Sequence, residues 1–472
     1  MTYEHWQLTR LGDLISIKHG WPFKSQYMTQ YQPGKPIVVG IGNFEYSGGF
    51  RFGSTTLKAY SGGYPTEFVL KPGDILLVMT CQTPGGEILG IPGRIPNDNR
   101  IYLHNQRMGK VIVKDSKRVD MGFLYWLFLT VGFNRHLAAT ATGTKILHTA
   151  PERIESFKFL LPPLPTQCTI ASILSAYDEL IENNTRRIAL LEEMAQMLYQ
   201  EWFAKFRFPG YEGVRMVETE MGMVPEGWEV VSFFDIANVL SGGTPKTAEP
   251  AYWNGDIPFY TPKDAPSSFF VIMTEKSLTE MGLKSCNSHL YPRNTVFITA
   301  RGTVGRIALN AIAMAMNQSC YALEGREGIS QFFLFLHLKN CIRQLKQTAN
   351  GAVFEAIIVD TFKWLQVLKP PLALIGAFTT MTAPVFDQIL NLTMRNANLR
   401  RTRDMLLPKL VGGEIDVSGW ERMGAEADAI NRVPTEVGKA GGYEMRGTRG
   451  RGMAQVEPLG QDDLAWRSLW EP

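Results

Sequence analysis

The apolar positions of the chain form two long heptad patterns. In the first, which spans about Thr166 to Phe206, the a positions are Ile170, Tyr177, Asn184, Leu191 and Leu198. The d positions are Ile173, Leu180, Arg187, Met194 and Glu201, and Ile181, Ile188 and Trp202 stand at e. The second pattern lies 208 residues further on (378 against 170) and has Phe378, Val385, Leu392, Leu399 and Leu406 at a. The patterns predict two long, partnered helices.

The simplest arrangement of two such helices is an antiparallel pair. About 35–40 residues at about 1.5 Å each would make rods of roughly 55–60 Å, with the preceding globular regions at opposite ends and a pseudo-two-fold axis between them. The a and e positions together form a stripe wider than a two-stranded seam requires. Asn184 is predicted to fix the register, with the apolar Leu392 at the corresponding position of the second helix; alternatively, Asn184 lies at a solvated edge.

The regions before the two helices also repeat. Gly20 and Gly242 lie 222 residues apart, and Asn105-Gln106 corresponds to Asn317-Gln318. Short β-rich runs alternate with Gly- and Pro-rich turns in each region. Because two copies of about 200 residues are present, the repeat indicates a duplicated domain and not a solenoid. The predicted fold is therefore α+β, with two mixed α/β domains in tandem, each followed by a long helix of an antiparallel coiled coil.

This organisation divides the chain into five segments. They are a first recognition domain (1–165), a first helical region with its linker (166–215), a second recognition domain (216–370), a second helical region (371–417) and a tail (418–472) that is predicted to be poorly ordered because it contains few aliphatic residues.

Cysteine usage and the lack of targeting segments favour a cytoplasmic protein without a membrane partner. The five cysteines show no CxxC spacing, which indicates a reducing compartment. No signal peptide is expected at the amino terminus. The apolar runs Met121–Phe133 and Phe332–Leu338 are shorter than the roughly 20 residues of a spanning helix, so we expect buried helices there.

Charge is unevenly distributed. Residues 1–165 contain 18 Lys and Arg against 11 Asp and Glu, whereas residues 166–224 contain 5 against 9. A basic domain can bind a polyanion through counterion release, although an ordinary surface can have the same composition.

The sequence contains none of the common catalytic motifs. The sequence has no G-x-S-x-G elbow, Walker A loop, Asn-Pro-Pro-aromatic tetrapeptide or closely spaced histidine pair. We therefore expect no catalytic residues, no bound metal and no cofactor held by the chain itself.

The loops of the two repeats are better candidates for function. The turn Gly242–Lys246 offers N–H groups, a hydroxyl and a cation that suit a phosphate, or it simply connects strands. The loop Thr299–Arg306 contains two arginines, and arginine commonly reads guanine, whereas its counterpart Thr80–Gly86 contains amide and hydroxyl groups. The candidate DNA-contacting residues are Lys24, Arg51, Gln82, Thr83, Arg94, Thr244, Lys246, Lys263, Arg301 and Arg306. The repeated Asn-Gln pairs favour a structural hydrogen-bonding role.

Several of these segments resemble the specificity subunits of Type I restriction-modification systems. They are Gly20-Trp-Pro-Phe-Lys24, Met221-Gly-Met-Val-Pro-Glu-Gly-Trp228, Leu240-Ser-Gly-Gly-Thr-Pro245, Tyr252-Trp-Asn-Gly-Asp-Ile-Pro258 and Leu406-Leu-Pro-Lys-Leu-Val-Gly-Gly-Glu-Ile-Asp-Val417. The resemblance covers about 1–417 and leaves the tail without a counterpart.

The resemblance implies a non-catalytic reader of double-stranded DNA. Each recognition domain would read one half-site, and the coiled coil would set the spacer. Methyltransferase subunits, two of them expected, would supply S-adenosylmethionine chemistry, and restriction subunits would supply ATP- and Mg²⁺-dependent translocation and cleavage. Two alternatives are an enzyme with an unrecognised catalytic site and a purely structural coiled-coil protein.

Overall fold

The computed structural model describes residues 6–51, 56–348 and 357–417, without the side chains of 344–348. The expectation of a poorly ordered tail falls on 418–472 and therefore lies outside the described residues.

The first domain is a mixed α/β unit with two main sheets. Its strands are β1 (Gln7–Arg10), β2 (Ile15–His19), β3 (Met28–Gln30), β4 (Ile37–Val38), β5 (Lys58–Tyr60), β6 (Val69–Leu70), β7 (Ile75–Val78), β8 (Thr80–Cys81), β9 (Pro92–Arg94), β10 (Tyr102–Leu103), β11 (Met108–Val113), β12 (Leu147–His148) and β13 (Lys158–Leu161). Its helices are α1 (Met121–Phe128), α2 (Val131–Thr140) and α3 (Pro151–Glu155). One sheet has the order β2-β11-β7-β9, and the other β3-β5-β4-β10-β6.

The second domain follows the long helix α4 (Leu164–Tyr199) and a hairpin of β14 (Met216–Thr219) and β15 (Gly222–Pro225). Its strands are β16 (Glu229–Ser232), β17 (Ala237–Ser241), β18 (Trp253–Tyr260), β19 (Phe270–Val271), β20 (Lys276–Leu278), β21 (Val296–Thr299), β22 (Ile307–Asn310), β23 (Ala315–Met316), β24 (Cys320–Gly325) and β25 (Gln366–Lys369). Its helices are α5 (Phe233–Ile236), α6 (Glu280–Lys284), α7 (Gln331–Thr348) and α8 (Val359–Trp364), and the long helix α9 (Leu372–Val411) follows.

The sheets confirm the internal repeat. The order β17-β24-β21-β22 matches β2-β11-β7-β9 strand for strand, and β19 extends the second copy. The antiparallel pair β16 and β25 likewise corresponds to β1 and β13. The two copies therefore share one architecture, as the sequence repeat predicted.

In each domain a glycine packs closely against the backbone of the repeated Asn-Gln pair. A Cβ atom on Gly20 would stand 2.2 Å from the carbonyl oxygen of Asn105, and one on Gly242 would stand 2.2 Å from that of Asn317. In both copies the asparagine side chain accepts a hydrogen bond from the backbone N–H two residues later. The structural role expected of the repeated asparagines is confirmed, and only glycine fits opposite them.

The two long helices are continuous over most of the predicted spans. Helix α4 ends in a π-helical turn at Gln200–Ala204. Helix α9 continues through Pro384, although proline removes one N–H donor from a helix interior. The heptad interpretation overlooked this proline, and packing against the second domain retains the helix there.

The seam between the helices lies at the e positions. Ile181 and Ile188 of α4 are buried, and so is Ile389 of α9. Burial of one such side chain stabilises the fold by about 1.5–3 kcal/mol. The d positions lie outside this seam, since Leu180 is 52% exposed and Met194 is 45% exposed. The stripe of a and e positions predicted from the sequence is therefore confirmed.

Polar side chains cross the seam and show that the helices are antiparallel. The Asn184 side-chain amide donates to Oδ1 of Asn396 at 3.0 Å. The Asn396 amide donates to the carbonyl oxygen of Ile181 at 3.2 Å and to the Thr185 hydroxyl at 3.1 Å. One helical turn or more away, Arg403 pairs with Asp178. Residue numbers thus rise along α4 as they fall along α9, as predicted.

Each domain packs on one end of the helix pair. The core of the first domain includes Ile170 and Leu174 from the start of α4 and Leu410 from the end of α9. The core of the second domain includes Tyr199 from the end of α4 and Phe378 from the start of α9. The predicted placement of the two domains at opposite ends is confirmed.

Helix α9 also meets the length and composition expected of a membrane-spanning helix. An 18-residue window has a mean hydropathy of 1.3 with 28% of its residues buried. Within α9, however, Phe378 packs against Phe203 and Phe333, and Phe386 packs against Phe269. This packing against the second domain covers part of the apolar surface of the helix.

We predict that the interhelical asparagine pair trades stability for correct pairing. Asn396→Ala removes three hydrogen bonds and leaves polar groups unpaired, so the free energy of unfolding should fall by about 1–3 kcal/mol. The double variant Asn184→Leu/Asn396→Leu should recover that stability but form concentration-dependent oligomers, because an apolar seam accepts other partners. Urea unfolding and light scattering measure the two effects. A double variant that is both stable and strictly as monodisperse as the wild type would contradict the prediction.

A second prediction concerns acid stability. Burial lowers the pKa of His337 to about 4, below its usual value of about 6.5. Between these values the unfolded chain binds a proton that the folded chain does not, so stability falls as pH drops through this window, by up to about 1.4 kcal/mol per pH unit. The double variant His337→Leu/Tyr199→Phe, which also removes the 2.7 Å bond between the two side chains, should flatten this slope. Urea unfolding from pH 6.5 to 4 would refute the assignment if the slope were unchanged.

Candidate nucleic-acid interface

The candidate reading loops occupy the same place in the two domains. In the second domain the loop 300–306 joins β21 to β22, which pair through Val296 and Leu309. In the first domain the longer loop 79–91, which includes β8, joins β7 to β9, which pair through Ile75 and Arg94. The correspondence of the Arg301 loop with the Gln82 loop therefore agrees with the sheet register.

Lys263 lies on a preorganised turn beside the Arg301 loop. Its turn is the 3₁₀ helix Pro262–Asp264. The Asp264 carboxylate accepts hydrogen bonds from the Thr261 N–H at 2.8 Å, the Thr261 hydroxyl at 2.6 Å and the Glu275 N–H at 2.8 Å. Because these bonds fix the turn, little backbone conformational entropy need be lost when Lys263 binds a ligand.

Lys263 and Arg301 line one cavity of about 370 Å³. The remaining lining residues are Thr261, Pro262, Glu275, Lys276, Gly302, Asn317 and Ser319. The Arg301 N–H donates to the Ser319 carbonyl oxygen at 3.3 Å, which ties the loop to the shared Asn-Gln turn. The structure thus brings together two of the residues predicted from sequence, and both are exposed.

The cavity combines donors and acceptors of the types that read base edges. Lys263, Lys276 and Arg301 supply donors for the acceptors N7 and O6 of guanine, and the Glu275 carboxylate can accept from a cytosine amine. Lys276 Nζ lies 5.5 Å from the centre of the Trp253 ring. Sequence reasoning missed Lys276, since its only signal is an isolated cation in a short strand.

The turn that contains Thr244 and Lys246 adjoins this cavity. The Thr244 hydroxyl donates to the Gln318 side chain, and the Lys246 carbonyl oxygen accepts from the Trp253 indole at 3.2 Å. Lys246 is exposed, while Thr244 is half-buried. The turn therefore has a connecting role within the domain, and its Lys246 side chain is available to a phosphate.

Arg306 lies on the other side of the Arg301 loop. Its guanidinium donates to the Pro266 carbonyl oxygen at 3.2 Å. It lines a separate cavity of about 460 Å³ with Lys339 and Arg343. The two arginines of this loop were treated together in the sequence, but the structure does not bring them into one cavity.

In the first domain, Gln82 and Thr83 are exposed on the corresponding loop. The Thr83 hydroxyl donates to the Glu87 carboxylate, and this hydrogen bond lowers the pKa of Glu87. The Asn134 amide binds the carbonyl oxygens of three residues of the loop at 2.9 to 3.3 Å. The first reading loop is thus anchored to α2, and it contains the Glu87 carboxylate as well as amide and hydroxyl groups.

The other three residues predicted in the first domain are exposed and belong to other segments of the chain. Lys24 precedes the 3₁₀ turn Ser25–Tyr27. Arg51 forms a salt bridge with Glu45 at 3.4 Å. Arg94 stacks on the Tyr125 ring at 5.2 Å, at the end of β9 away from the loop. DNA contact by these residues stays a prediction.

In the described ranges, no group of three or more His, Cys, Asp or Glu side chains could hold a metal ion.

Comparison with known proteins gives a family match over most of the chain. Residues 3–193 and 225–374 match the family described as the Type I restriction modification DNA specificity domain. The chain is 26% identical over 318 residues to the Type I restriction enzyme MjaIX specificity subunit of Methanocaldococcus jannaschii, covering 66% of this chain and 73% of that one. It is 24% identical over 407 residues to the HindI specificity subunit of Haemophilus influenzae, covering 73% and 87%.

A solved structure has the same fold. The crystal structure of the S subunit of a Type I restriction-modification system from M. genitalium aligns with a TM-score of 0.54 and 16% identity, covering 86% of this chain and 96% of that chain.

We predict that Arg301 contributes to discrimination at one base pair. If its guanidinium binds a guanine edge, Arg301→Ala should reduce discrimination there by about 1–3 kcal/mol and leave the other positions unchanged. The matched control is Arg326→Ala, which removes the same charge at the opposite end of β24, where Arg326 binds Asn238. Methylation of a set of substrates with every single change in the target would measure both. An unaltered base preference in Arg301→Ala would rule out the assignment.

Proposed function

Because the chain belongs to the family of Type I restriction-modification DNA specificity domains, we propose that it reads a bipartite DNA site for a Type I restriction-modification complex. Its relatives are named specificity subunits, and this chain is the component that confers specificity and not the catalytic one. The observation that carries the proposal is the placement of two equivalent domains with different loop tips at opposite ends of one helix pair.

The helix pair accounts for a constant gap between two half-sites. Helix α4 has 36 residues, which correspond to about 54 Å. The domains pack into this rod through their cores, so their separation is determined by the register of α4 on α9. A pseudo-two-fold relation also suits DNA, whose two strands are related by two-fold axes.

The partners of the chain follow from the same proposal. The helix pair exposes Leu180 and Met194 on α4 and Met381 and Met394 on α9, apolar side chains that suit protein docking. The pseudo-two-fold relation provides two similar surfaces, which favours two methyltransferase subunits. S-adenosylmethionine would bind to those subunits, and ATP and Mg²⁺ to restriction subunits. A complex that acts on the chromosome of a bacterium or archaeon would work in the cytoplasm.

The test is to map methylated adenines in a host that carries this chain with its methyltransferase subunit. We expect one bipartite motif with a constant gap, because both half-sites are read by one rigid protein. A host with the methyltransferase subunit alone is the control and should lack the motif. A contiguous motif, or methylation by this chain without a partner, would contradict the proposal.

A further inference from the structure

The cavity beside Arg306 is a second basic site of the second domain. It measures about 460 Å³ and is lined by Pro266, Ser267, Ser268, Gly305, Arg306, Ile307, Lys339, Ile342 and Arg343. Gly305 and Arg306 belong to the loop that contains Arg301, so the cavity adjoins the candidate reading surface. Its lining contains three cations and no carboxylate.

The three cations of this cavity have no salt-bridge partner among the described residues. Arg306 donates to a backbone carbonyl oxygen, and the Arg343 guanidinium donates to the Asn340 side chain at 2.7 Å. Glu192 of α4 contacts the cavity wall, where its carboxylate accepts from the Ser268 hydroxyl at 2.5 Å and the Phe269 N–H at 2.7 Å. No salt bridge to the three cations forms in the part of the chain that the structure describes.

Lys339 is held at the cavity wall by aromatic rings. Its ammonium lies 4.5 Å from the centre of the Phe269 ring and 5.8 Å from that of Phe335. Burial lowers the pKa of Lys339, and the Glu192 carboxylate partly opposes this effect. A partly desolvated cation without a direct counterion gains from an incoming anion.

The corresponding positions of the first domain are apolar. Ile307 pairs with Ile298 in the second domain, and Pro92 pairs with Leu77 in the first domain. The residues that precede Ile307 and Pro92, namely Arg306 and Ile91, therefore occupy equivalent positions. Asp120 and Ser330 cap the equivalent helices α1 and α7. Leu129 follows Asp120 by the same number of residues as Lys339 follows Ser330, so Leu129 and Lys339 occupy equivalent positions. Because the duplicated architecture needs no cations at these positions, the basic cavity is a separate feature of the second domain.

We infer that the cavity formed by Arg306, Lys339 and Arg343 binds a backbone phosphate of DNA next to the second half-site. The inference rests on the proposed function and adds an asymmetry to it: the second domain would be clamped on the backbone at a place where the first is not. Guanidinium groups suit this role because they bind phosphate oxygens through paired N–H donors. A phosphate contact positions the reading loop and does not itself select a base.

The test measures DNA affinity against salt concentration for the full-length chain in complex with its methyltransferase subunit, on a duplex that contains the mapped target. Arg306→Ala/Arg343→Ala should reduce the slope of log affinity against log salt by about 0.9, the value for one lost phosphate contact, without changing base preference. Arg306→Lys/Arg343→Lys keeps the charge and should keep most of the slope. Arg326→Ala is the control for loss of charge elsewhere in the domain.

A neutral methylphosphonate placed at each backbone position in turn locates the contact. One position beside the second half-site should weaken binding by the wild type and have no further effect on the double alanine variant. The inference is overturned if that variant keeps the wild-type slope, or if Arg326→Ala lowers the slope equally. It is also overturned if the free chain binds inorganic phosphate at this site, judged by thermal shift, while the DNA slope is unchanged. If the wild-type complex showed no preference for the target over other sequences, this result would instead contradict the proposed function.

Discussion

The antiparallel packing of α4 on α9 is the interaction on which the rest of the structure depends. Neither domain closes its core alone: Leu174 and Leu410 complete the first, and Tyr199 and Phe378 complete the second. Each core therefore takes residues from both helices, which are far apart in sequence. Separation of the helices would expose apolar surface in both domains at once, so the pairing couples the stability of the two readers to the distance between them.

The polar residues of the seam add direction to this packing. The position related to Asn184 by the repeat is Leu392, and the position related to Asn396 is Ile188. The asparagine pair thus breaks the pseudo-symmetry of an otherwise similar interface. Pairing of α4 with a second α4 would leave Asn184 opposite apolar side chains, which costs about 1–3 kcal/mol for each unpaired polar group. The asparagine pair therefore favours pairing of α4 with α9 within one chain over pairing of helices from two copies.

The architecture could be predicted from the sequence because the duplication shows the pattern of each element twice. The heptads predicted the antiparallel rods and the placement of the domains. The exposure of Leu180 and Met194 at d agrees with the predicted stripe of a and e positions. The heptads did not predict which domain residues cover that stripe, because this depends on contacts between residues that are distant in sequence. The same limit applies to the site: Arg301 was marked by its glycine-rich loop, whereas Lys276 reaches the cavity only through the pairing of β20 with β18.

The separation of scaffold from loop tips explains how one frame can hold two different readers. A side chain at Gly20 or Gly242 would collide with backbone, and the asparagine opposite each binds its own turn, so these positions are constrained in both copies. The tips of the loops after β7 and β21 are exposed, and one tip presents Gln82 while the other presents Arg301. The domain cores contact the helix pair through other residues. Loop substitutions can therefore alter the bases that are read without a change in the helix register or in the gap between half-sites.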